Sequence, residues 1–229
     1  MEFSLHASLK KLFAGDNGKA EVRVGRFRVD ALADGKIIEI ETGPLLGVRE
    51  KLRQLLLFHP VLVVKPIVKH RYVRWFDSAG QLVCHRQLPV PDWKLAFFDD
   101  LVYLTRVFPN PNLSLRFVLV SVEEHRLSPK YIRNNRSPGR GRMVDVFLKQ
   151  VDKQVDLVNA ADLLKLLPSD LPVVFDTVSL AELWKIEPWE ARKILYCLRE
   201  CGLVQRVGCR NRFRQYVLTT TENPGSAVA

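Results

Sequence analysis

Residues 21–42 read EVRVGRFRVDALADGKIIEIET, and the rest of the first domain can be arranged around them. Apolar and polar residues alternate on both sides of Gly25, and the alternation resumes after a short turn. A two-residue period is typical of strands whose two faces meet different surroundings. In the last segment Ile38 and Ile40 face away from Glu39 and Glu41. The stretch therefore predicts two or three strands of a meander.

Helical spacing flanks this meander on both sides. The apolar residues of FSLHASLKKLF at 3–13 recur at helical intervals, and so do those of VREKLRQLLLF at 48–58. The second helix stops before Pro60, and the wholly apolar VLVV at 61–64 predicts a buried strand that continues to Trp75. We expect helix, meander, helix and strand to form the core of an α/β domain.

The pattern stays mixed beyond this core. We expect a hairpin and a proline-bearing connection over 76–92, a helix over 93–106 and a strand from Leu113. A loop at 129–142 follows, with five Lys and Arg residues and no acid. Another strand-like segment and a short apolar stretch close the first domain near Pro172. Helices and strands mixed in this way indicate an α/β fold with a mixed sheet.

Beyond that boundary the pattern becomes that of a small second unit. Ser179 and Glu182 have the spacing of a capping box, and Pro188 stands at the first position of a second helix. That helix ends at Gly202, and a hairpin with a turn at 208–211 follows. Helix, turn, helix and hairpin is the order of a winged helix-turn-helix. The predicted units are an α/β domain at 1–172, with its core at 1–75 and an extension at 76–172, a winged-helix domain at 173–220 and a disordered tail at 221–229.

Composition and charge limit the class of protein. The 229 residues are 47% hydrophobic and 26% charged, which excludes a mainly disordered or low-complexity chain. No apolar run reaches the ~18 residues that a membrane helix needs, so we expect a cytoplasmic protein with no membrane partner. The net charge of +10 favours an acidic partner such as nucleic acid. The four cysteines are too few for a disulfide framework, and we expect reduced thiols, with Cys197 and Cys201 buried.

Three carboxylates are predicted to converge at the meander. Asp30 is followed nine residues later by Glu39 and then by Glu41, and strand pairing would bring Asp30 opposite them. Such a group prefers Mg²⁺ or Mn²⁺, which would polarise a phosphate and help to generate hydroxide. The alternative is a solvated sheet face held by cross-strand salt bridges, with Arg28 beside Asp30. Two further candidates are Glu21, as a metal ligand, and His6, as a proton carrier.

At these residues the chain resembles the PD-(D/E)XK nuclease superfamily, the restriction-endonuclease-like fold, in which Asp and then Glu-x-Lys follow an acidic helix residue. The resemblance implies a helix, three-strand, helix and strand core over 1–75 and metal-dependent phosphodiester hydrolysis. It also implies an acidic contribution from the first helix, where Glu2 is the candidate. More narrowly, LHASLK at 5–10, IIEIETG at 37–43 and HPVLVV at 59–64 are similar to a bacterial group of nuclease-fold proteins that also end in a winged helix.

One position departs from the superfamily pattern. Glu41 stands where most members have Lys, and a carboxylate cannot stabilise the charge that develops on the phosphate. Lys51 on the next helix or Lys36 before the strand would have to supply a cation instead. Three hypotheses remain: an active nuclease, a catalytically inactive nuclease-fold protein that binds DNA or regulates, and a protein whose two domains both bind protein partners, with the charge serving solubility. The catalytic residues of the first hypothesis are Asp30, Glu39, Glu41 and Lys51.

Basic residues are concentrated in the C-terminal unit. They lie outside the apolar stripe of its second helix, and its hairpin has no acid between Leu203 and Leu218. A helix in the major groove with a basic wing along the backbone is how this motif binds duplex DNA. The predicted nucleic-acid-binding residues are Arg192, Lys193, Arg199, Arg206, Arg210, Arg212 and Arg214, with Arg136, Arg140 and Arg142 of the basic loop. The alternatives are a docking surface for a protein partner and a charged face that is only solvated, and a homodimer also stays open.

Overall fold

The computed structural model describes residues 3–16, 18–128 and 141–219. Several predicted features lie outside these described residues, namely Glu2, Arg136, Arg140 and the tail at 221–229. In the described ranges, no helix is long and apolar enough to cross a membrane.

Helices and strands alternate along the chain before a final pair of helices and a hairpin. The helices are α1 (Ser4–Ala14), α2 (Arg49–Leu55), α3 (Trp93–Leu101), α4 (Thr177–Trp184) and α5 (Pro188–Glu200), with 3-10 turns over Leu45–Val48 and Ala160–Leu166. The strands are β1 (Lys19–Val24), β2 (Phe27–Ala33), β3 (Lys36–Ile40), β4 (Val61–Phe76), β5 (Leu82–Leu88), β6 (Leu113–Leu127), β7 (Arg142–Leu157), β8 (Val204–Arg210) and β9 (Phe213–Leu218). The predicted mixed α/β class is confirmed. The predicted helix over 93–106 is shorter, because it ends at Leu101 and turns replace its last residues.

The end of β3 lies in the interior of a mixed sheet. Strands β1, β2 and β3 form an antiparallel meander, and α2 then connects β3 to β4 in parallel, with Ile38 opposite Leu62. Strand β6 adds in parallel to β4, and β7 returns antiparallel to β6. Among the described residues, seven strands take part, in the order β1-β2-β3-β4-β6-β7, with β5 paired to β4. The last residues of β3 are therefore flanked by β2 and β4.

Helices cover both faces of this sheet. Helix α1 packs on one face, where Leu9 is fully buried in the same apolar cluster as Ile38. Helices α2 and α3 pack on the other face through Leu52 and Phe97, and the ring centroids of Phe97 and Phe117 are 4.0 Å apart. Burial of these side chains fixes the two helical layers against the strands. Side chains from α1 and α2 can thus reach the end of β3 from opposite faces.

The C-terminal helices pack on the α3 side of the sheet. The rings of Phe98 and Trp184 meet edge to face with centroids 6.3 Å apart, and the thiol of Cys201 lies 3.8 Å from the Phe108 carbonyl oxygen. Ile194 belongs to the same apolar cluster as these side chains. Residues on both sides of the predicted domain boundary therefore share one core.

The first of these helices begins earlier than the capping box at Ser179 predicts. Its N-cap is Asp176, whose carboxylate accepts hydrogen bonds from the backbone N–H groups of Val178 and Ser179. The Ser179 hydroxyl in turn accepts from the N–H of Asp176, at 2.8 Å. Asp is as good an N-cap as Ser, so Asp176 starts the box and Ser179 completes it.

The cysteines give a test of how α5 packs. Cys197 and Cys201 are buried, whereas Cys84 and Cys209 are exposed. Burial raises the pKa of the Cys197 thiol to about 12 and that of Cys201 to about 11. Only the thiolate is nucleophilic, so we expect Ellman's reagent at pH 8 to modify two of the four thiols in the folded chain. All four should react after unfolding in guanidinium, and fast reaction of Cys201 in the folded chain would contradict its packing.

Candidate functional site

The predicted acidic residues lie where β2 and β3 separate. The paired register ends at Ala31 opposite Ile38, and its continuation sets Asp30 opposite Glu39. At this point the Asp30 side chain replaces backbone pairing, because its Oδ2 accepts the N–H of Ile40 at 2.8 Å. Asp30 therefore stands at an opening in the sheet, and Glu39 is the residue next to Ile40 on the neighbouring strand.

Asp30 is contacted by α1. Lys10 Nζ lies 3.6 Å from Asp30 Oδ1, and His6 Nε2 lies 3.6 Å from Oδ2. The same His6 nitrogen is 2.9 Å from the carbonyl oxygen of Ile40. His6 and Lys10 are four residues apart, so they share one face of the helix. An ammonium group and an imidazole thus lie close to this carboxylate, and the imidazole also contacts a backbone oxygen.

Glu39 is contacted by α2. It is only 4% exposed, and Lys51 Nζ lies 2.7 Å from each of its carboxylate oxygens, with hydrogen-bond geometry at Oε2 only. The same ammonium donates to the carbonyl oxygen of Arg28 at 2.6 Å. Burial raises the pKa of Glu39, Lys51 opposes this rise, and the charges of Asp30 and Glu41 add to it. Of Lys36 and Lys51, the two candidate replacement cations, Lys51 is therefore the one whose ammonium contacts Glu39.

Glu21 is held by cations from two elements. Lys10 Nζ donates to Oε1 at 3.1 Å, and the Arg28 guanidinium donates to Oε2. The hydrogen bonds from Lys10 and Arg28 keep the pKa of Glu21 below its usual value. Arg28 therefore pairs with Glu21 across β1 and β2, a cross-strand salt bridge of the kind that the solvated-face alternative predicts, and not with Asp30.

An open depression of about 600 Å³ brings most of these groups together. Glu41 lies at its edge and accepts the N–H of Gly43 at 2.6 Å through its own Oε1. Glu39 is not among the lining residues, because it is buried beside Lys51. The polar residues that line the depression include His6, Lys10, Glu21, Arg28, Asp30 and Glu41.

Asp30 and Glu39 fit a divalent cation in their donor chemistry. Carboxylate and carbonyl oxygens are the donors that Mg²⁺ prefers, and the Ile40 carbonyl lies beside Asp30. Glu39 Oε1 is buried without a hydrogen bond, and neighbouring carboxylates are costly without a cation. Within the described part of the chain, however, no three His, Cys, Asp or Glu side chains already form a metal-holding group. Lys51 and Lys10 instead lie against the two carboxylates.

The predicted nucleic-acid-binding residues fall into separate groups. Those that line one depression between α5 and the hairpin are Arg192, Arg199, Arg212 and Arg214. Lys193 is turned toward the main domain, where it pairs with Asp99 of α3 and lies 4.5 Å from the centre of the Trp189 ring. Arg206 and Arg210 are exposed on β8 outside that depression, and Arg142 begins β7 on the main sheet. Lys193 therefore has its charge compensated within the chain.

The sequence prediction does not include Lys10. Its position four residues after His6, on one face of a predicted helix, is the signal that would have singled it out. The sequence alone does not reveal that α1 packs on the side of the sheet where Asp30 lies, so this spacing was not enough to predict the contact. The contact is therefore a product of tertiary structure.

The chain has relatives by sequence. A family model described as a domain of unknown function (DUF8091) matches residues 3–158. An uncharacterized protein of Treponema pallidum (strain Nichols) is 28% identical over 182 residues, which cover 79% of this chain and 72% of the relative. No solved structure matches the chain significantly. The match to the family model runs from α1 to the end of β7, so it includes Asp30, Glu39 and Lys51.

Proposed function

The chain belongs to the DUF8091 family, and we propose that it is a metal-dependent nuclease that hydrolyses phosphodiester bonds in duplex DNA. The proposal depends on one observation at the place where β2 and β3 separate: Asp30 accepts the N–H of Ile40, and the neighbouring residue Glu39 is paired with Lys51. Two carboxylates from adjacent strands and an ammonium group from the next helix form a site that attracts both a metal ion and a phosphate.

The arrangement of the core supports a restriction-endonuclease-like fold. Helix α1, the antiparallel strands β1 to β3, helix α2 and the parallel strand β4 follow one another in the order of the PD-(D/E)XK core. Asp30 is on the second strand and Glu39 on the third, as the motif requires. The likeness is one of topology and motif position, and it is part of the proposal.

Each residue of the site has a separate role in this reaction. Asp30 and Glu39 would hold Mg²⁺ or Mn²⁺, which when bound polarises a phosphate and lowers the pKa of water. Lys51 places a positive charge where the motif lysine is missing, because its ammonium lies against Glu39. Glu41 occupies the motif lysine position, but its Oε1 accepts the N–H of Gly43. The reaction adds water across a P–O ester bond and leaves a phosphate monoester and a hydroxyl.

The C-terminal unit supports duplex binding through a winged helix-turn-helix. Helix α5 would enter the major groove while the β8–β9 hairpin follows the phosphate backbone. No acid occurs from β8 to the end of β9, so the hairpin carries uncompensated arginines. Because Lys193 is engaged by Asp99, the contacts to phosphate fall to the arginines.

The direct experiment is cleavage of supercoiled plasmid and of labelled linear duplex by the full chain. Cutting is expected with Mg²⁺ or Mn²⁺ and should stop when EDTA removes the ion. Single-stranded DNA and RNA of the same sequence, tested in parallel, identify the preferred polymer. Failure to cut any of them in either metal would contradict the proposal.

A second candidate function is a nuclease-fold DNA-binding protein that has lost turnover. It is favoured by the lysines themselves, because Lys51 and Lys10 already lie against Glu39 and Asp30. This candidate predicts DNA binding that falls steeply with salt and does not change when metal is added. Metal-dependent cutting would exclude it.

The hairpin turn gives a further prediction. The sequence predicts a turn at 208–211, but Gly208 pairs within β8, and the turn residues are Asn211 and Arg212. Their φ angles are 48° and 71°, a conformation in which Gly is preferred and Arg costs about 1 kcal/mol. Arg212→Gly should therefore raise the free energy of unfolding in urea by about 0.5–1 kcal/mol. The same variant should weaken duplex binding and reduce its salt slope by about one unit.

The matched control for this prediction is Arg206→Ala. It removes the same charge from the hairpin, at a strand position that needs no positive φ. It should weaken DNA binding in fluorescence anisotropy without any gain in stability. An Arg212→Gly variant that is less stable than the wild type would contradict the turn geometry.

A further inference from the structure

A small cationic pocket lies between α5 and the hairpin. Its volume is about 290 Å³, roughly half that of the depression around Asp30. The side chains that define its chemistry are Arg192, Tyr196 and Arg199 of α5, with Arg212, Phe213 and Arg214 of the hairpin. Guanidinium groups and aromatic rings thus line the same pocket.

The spacing along α5 explains how this pocket is formed. Arg192, Tyr196 and Arg199 follow one another at i, i+4 and i+7, so they lie on one face of the helix. Arg199 lies 5.5 Å from the centre of the Tyr196 ring. The hairpin faces this stripe with Phe213 and with the arginines on either side of it. One flat ring and two guanidinium groups are therefore presented from α5 alone.

The positive charge of the pocket is not balanced from within. Among the described residues, Arg192, Arg212 and Arg214 form no ion pair, and no acid lines the pocket. Arg199 pairs with Glu200, which lies outside the lining. Guanidinium groups held near one another repel, and an anion of high charge offsets that repulsion. The planar fork of each Arg matches the oxygens of a phosphate in geometry.

We propose that this pocket binds a single nucleotide that carries a phosphate monoester, with the phosphate on the arginines and the base against an aromatic ring. A monoester carries close to two negative charges, whereas the diester of an internal backbone position carries one. Four arginines match the more highly charged group better, and Tyr196 or Phe213 can stack on a base of any sequence. The proposal takes from the proposed function only the class of ligand, a nucleic acid. Binding at this pocket does not require the chain to hydrolyse DNA.

The test uses the full chain in EDTA, so that no strand is cut. Binding of short single strands labelled at the 3′ end is measured by fluorescence anisotropy, with and without a 5′ phosphate. We expect the phosphorylated strand to bind about tenfold more tightly, the effect of one or two charge-assisted hydrogen bonds. If dTMP displaces the phosphorylated strand, the pocket accepts free nucleotides. If the phosphorylated strand is preferred but dTMP does not displace it, the pocket accepts the 5′ nucleotide only at the end of a strand. Equal affinity for the strands with and without the 5′ phosphate would overturn the proposal.

Variants locate the effect in the pocket. The double variant Arg192→Ala with Arg214→Ala should remove the preference for the 5′ phosphate. The control double variant Arg206→Ala with Arg210→Ala should lower the affinity for both strands and leave the ratio of the two affinities unchanged. The count of reactive thiols checks that each variant is folded. A preference that survives Arg192→Ala with Arg214→Ala would overturn the assignment, and so would inorganic phosphate that competes as strongly as dTMP. A chain that never cuts DNA in Mn²⁺ but keeps the preference separates failure of the nuclease proposal from failure of this one.

Discussion

Asp30→Asn is expected to abolish Mg²⁺-dependent cleavage of duplex DNA, with a fall of about 10³-fold or more in the initial rate. The substitution removes one negative charge from the site where the cation would be held. A bound metal contributes several kcal/mol to a transition state of this kind, which corresponds to at least that factor. The amide oxygen of Asn can still accept the N–H of Ile40, so the local backbone should be retained.

The matched control for this prediction is Glu21→Gln. Glu21 lines the same depression, but it is exposed and already held by Lys10 and Arg28. We expect this variant to keep most of the cleavage rate, which separates a specific role of Asp30 from a general loss of charge. Plasmid nicking with Mg²⁺ and with Mn²⁺ measures both variants. Asp30→Asn cutting at the wild-type rate would remove the basis for the proposed site.

Lys51→Met should lower the free energy of unfolding by about 3 kcal/mol at neutral pH. It leaves the Glu39 carboxylate buried without its cation, and loss of one partner from a buried pair usually costs 3–5 kcal/mol. The lower end applies because the Lys51 side chain is 21% exposed, so water can reach the pair. Urea unfolding at pH 7 measures this loss.

The same variant should show a definite dependence on pH. Burial already raises the pKa of Glu39 above its usual value of 4.5, and Lys51 is the group that opposes this rise. Without Lys51 the folded chain keeps the Glu39 proton in a range where the unfolded chain has lost it. The loss of stability is therefore full above the folded-state pKa and shrinks as the pH falls toward 4.5. A loss of the same size at pH 5 and pH 8 would contradict a charge effect.

A double variant separates charge from packing. Glu39→Gln with Lys51→Met removes both charges at once, so no buried carboxylate is left without a partner. Its stability should recover most of the loss seen with Lys51→Met alone and should no longer depend on pH in this range. A double variant as unstable as the single one would assign the loss to packing.

The strands of the core could be predicted from the sequence, because the alternation of apolar and polar residues lies within each strand. The alternation over residues 21–42 specifies β1 to β3, and the boundary at Pro60 separates α2 from β4. Which of Lys36 and Lys51 lies beside Glu39 could not be predicted in this way. Lys36 begins β3, about 10 Å along the strand from Glu39, whereas the parallel crossover carries α2 back over Glu39. Only the crossover geometry distinguishes the two lysines.

Long-range contacts account for the other differences from the prediction. Lys193 has the sequence context of a nucleic-acid-binding residue, yet it pairs with Asp99, which is 94 residues away in the chain. Arg28 shares a strand face with Asp30 by simple alternation, yet it pairs with Glu21 on β1. The reason is that Asp30 lies where pairing with β3 ends and is met by α1. Periodicity describes a strand but not the helix that packs at its end.

The most direct test of the central claim is calorimetric titration of Mn²⁺ into the full chain, beside Asp30→Asn and Glu21→Gln. We expect saturable binding to the wild type and to Glu21→Gln, and loss of that binding in Asp30→Asn. Wild-type chain that binds no Mn²⁺, or Asp30→Asn that binds it as tightly as the wild type, would contradict a metal site at Asp30 and Glu39.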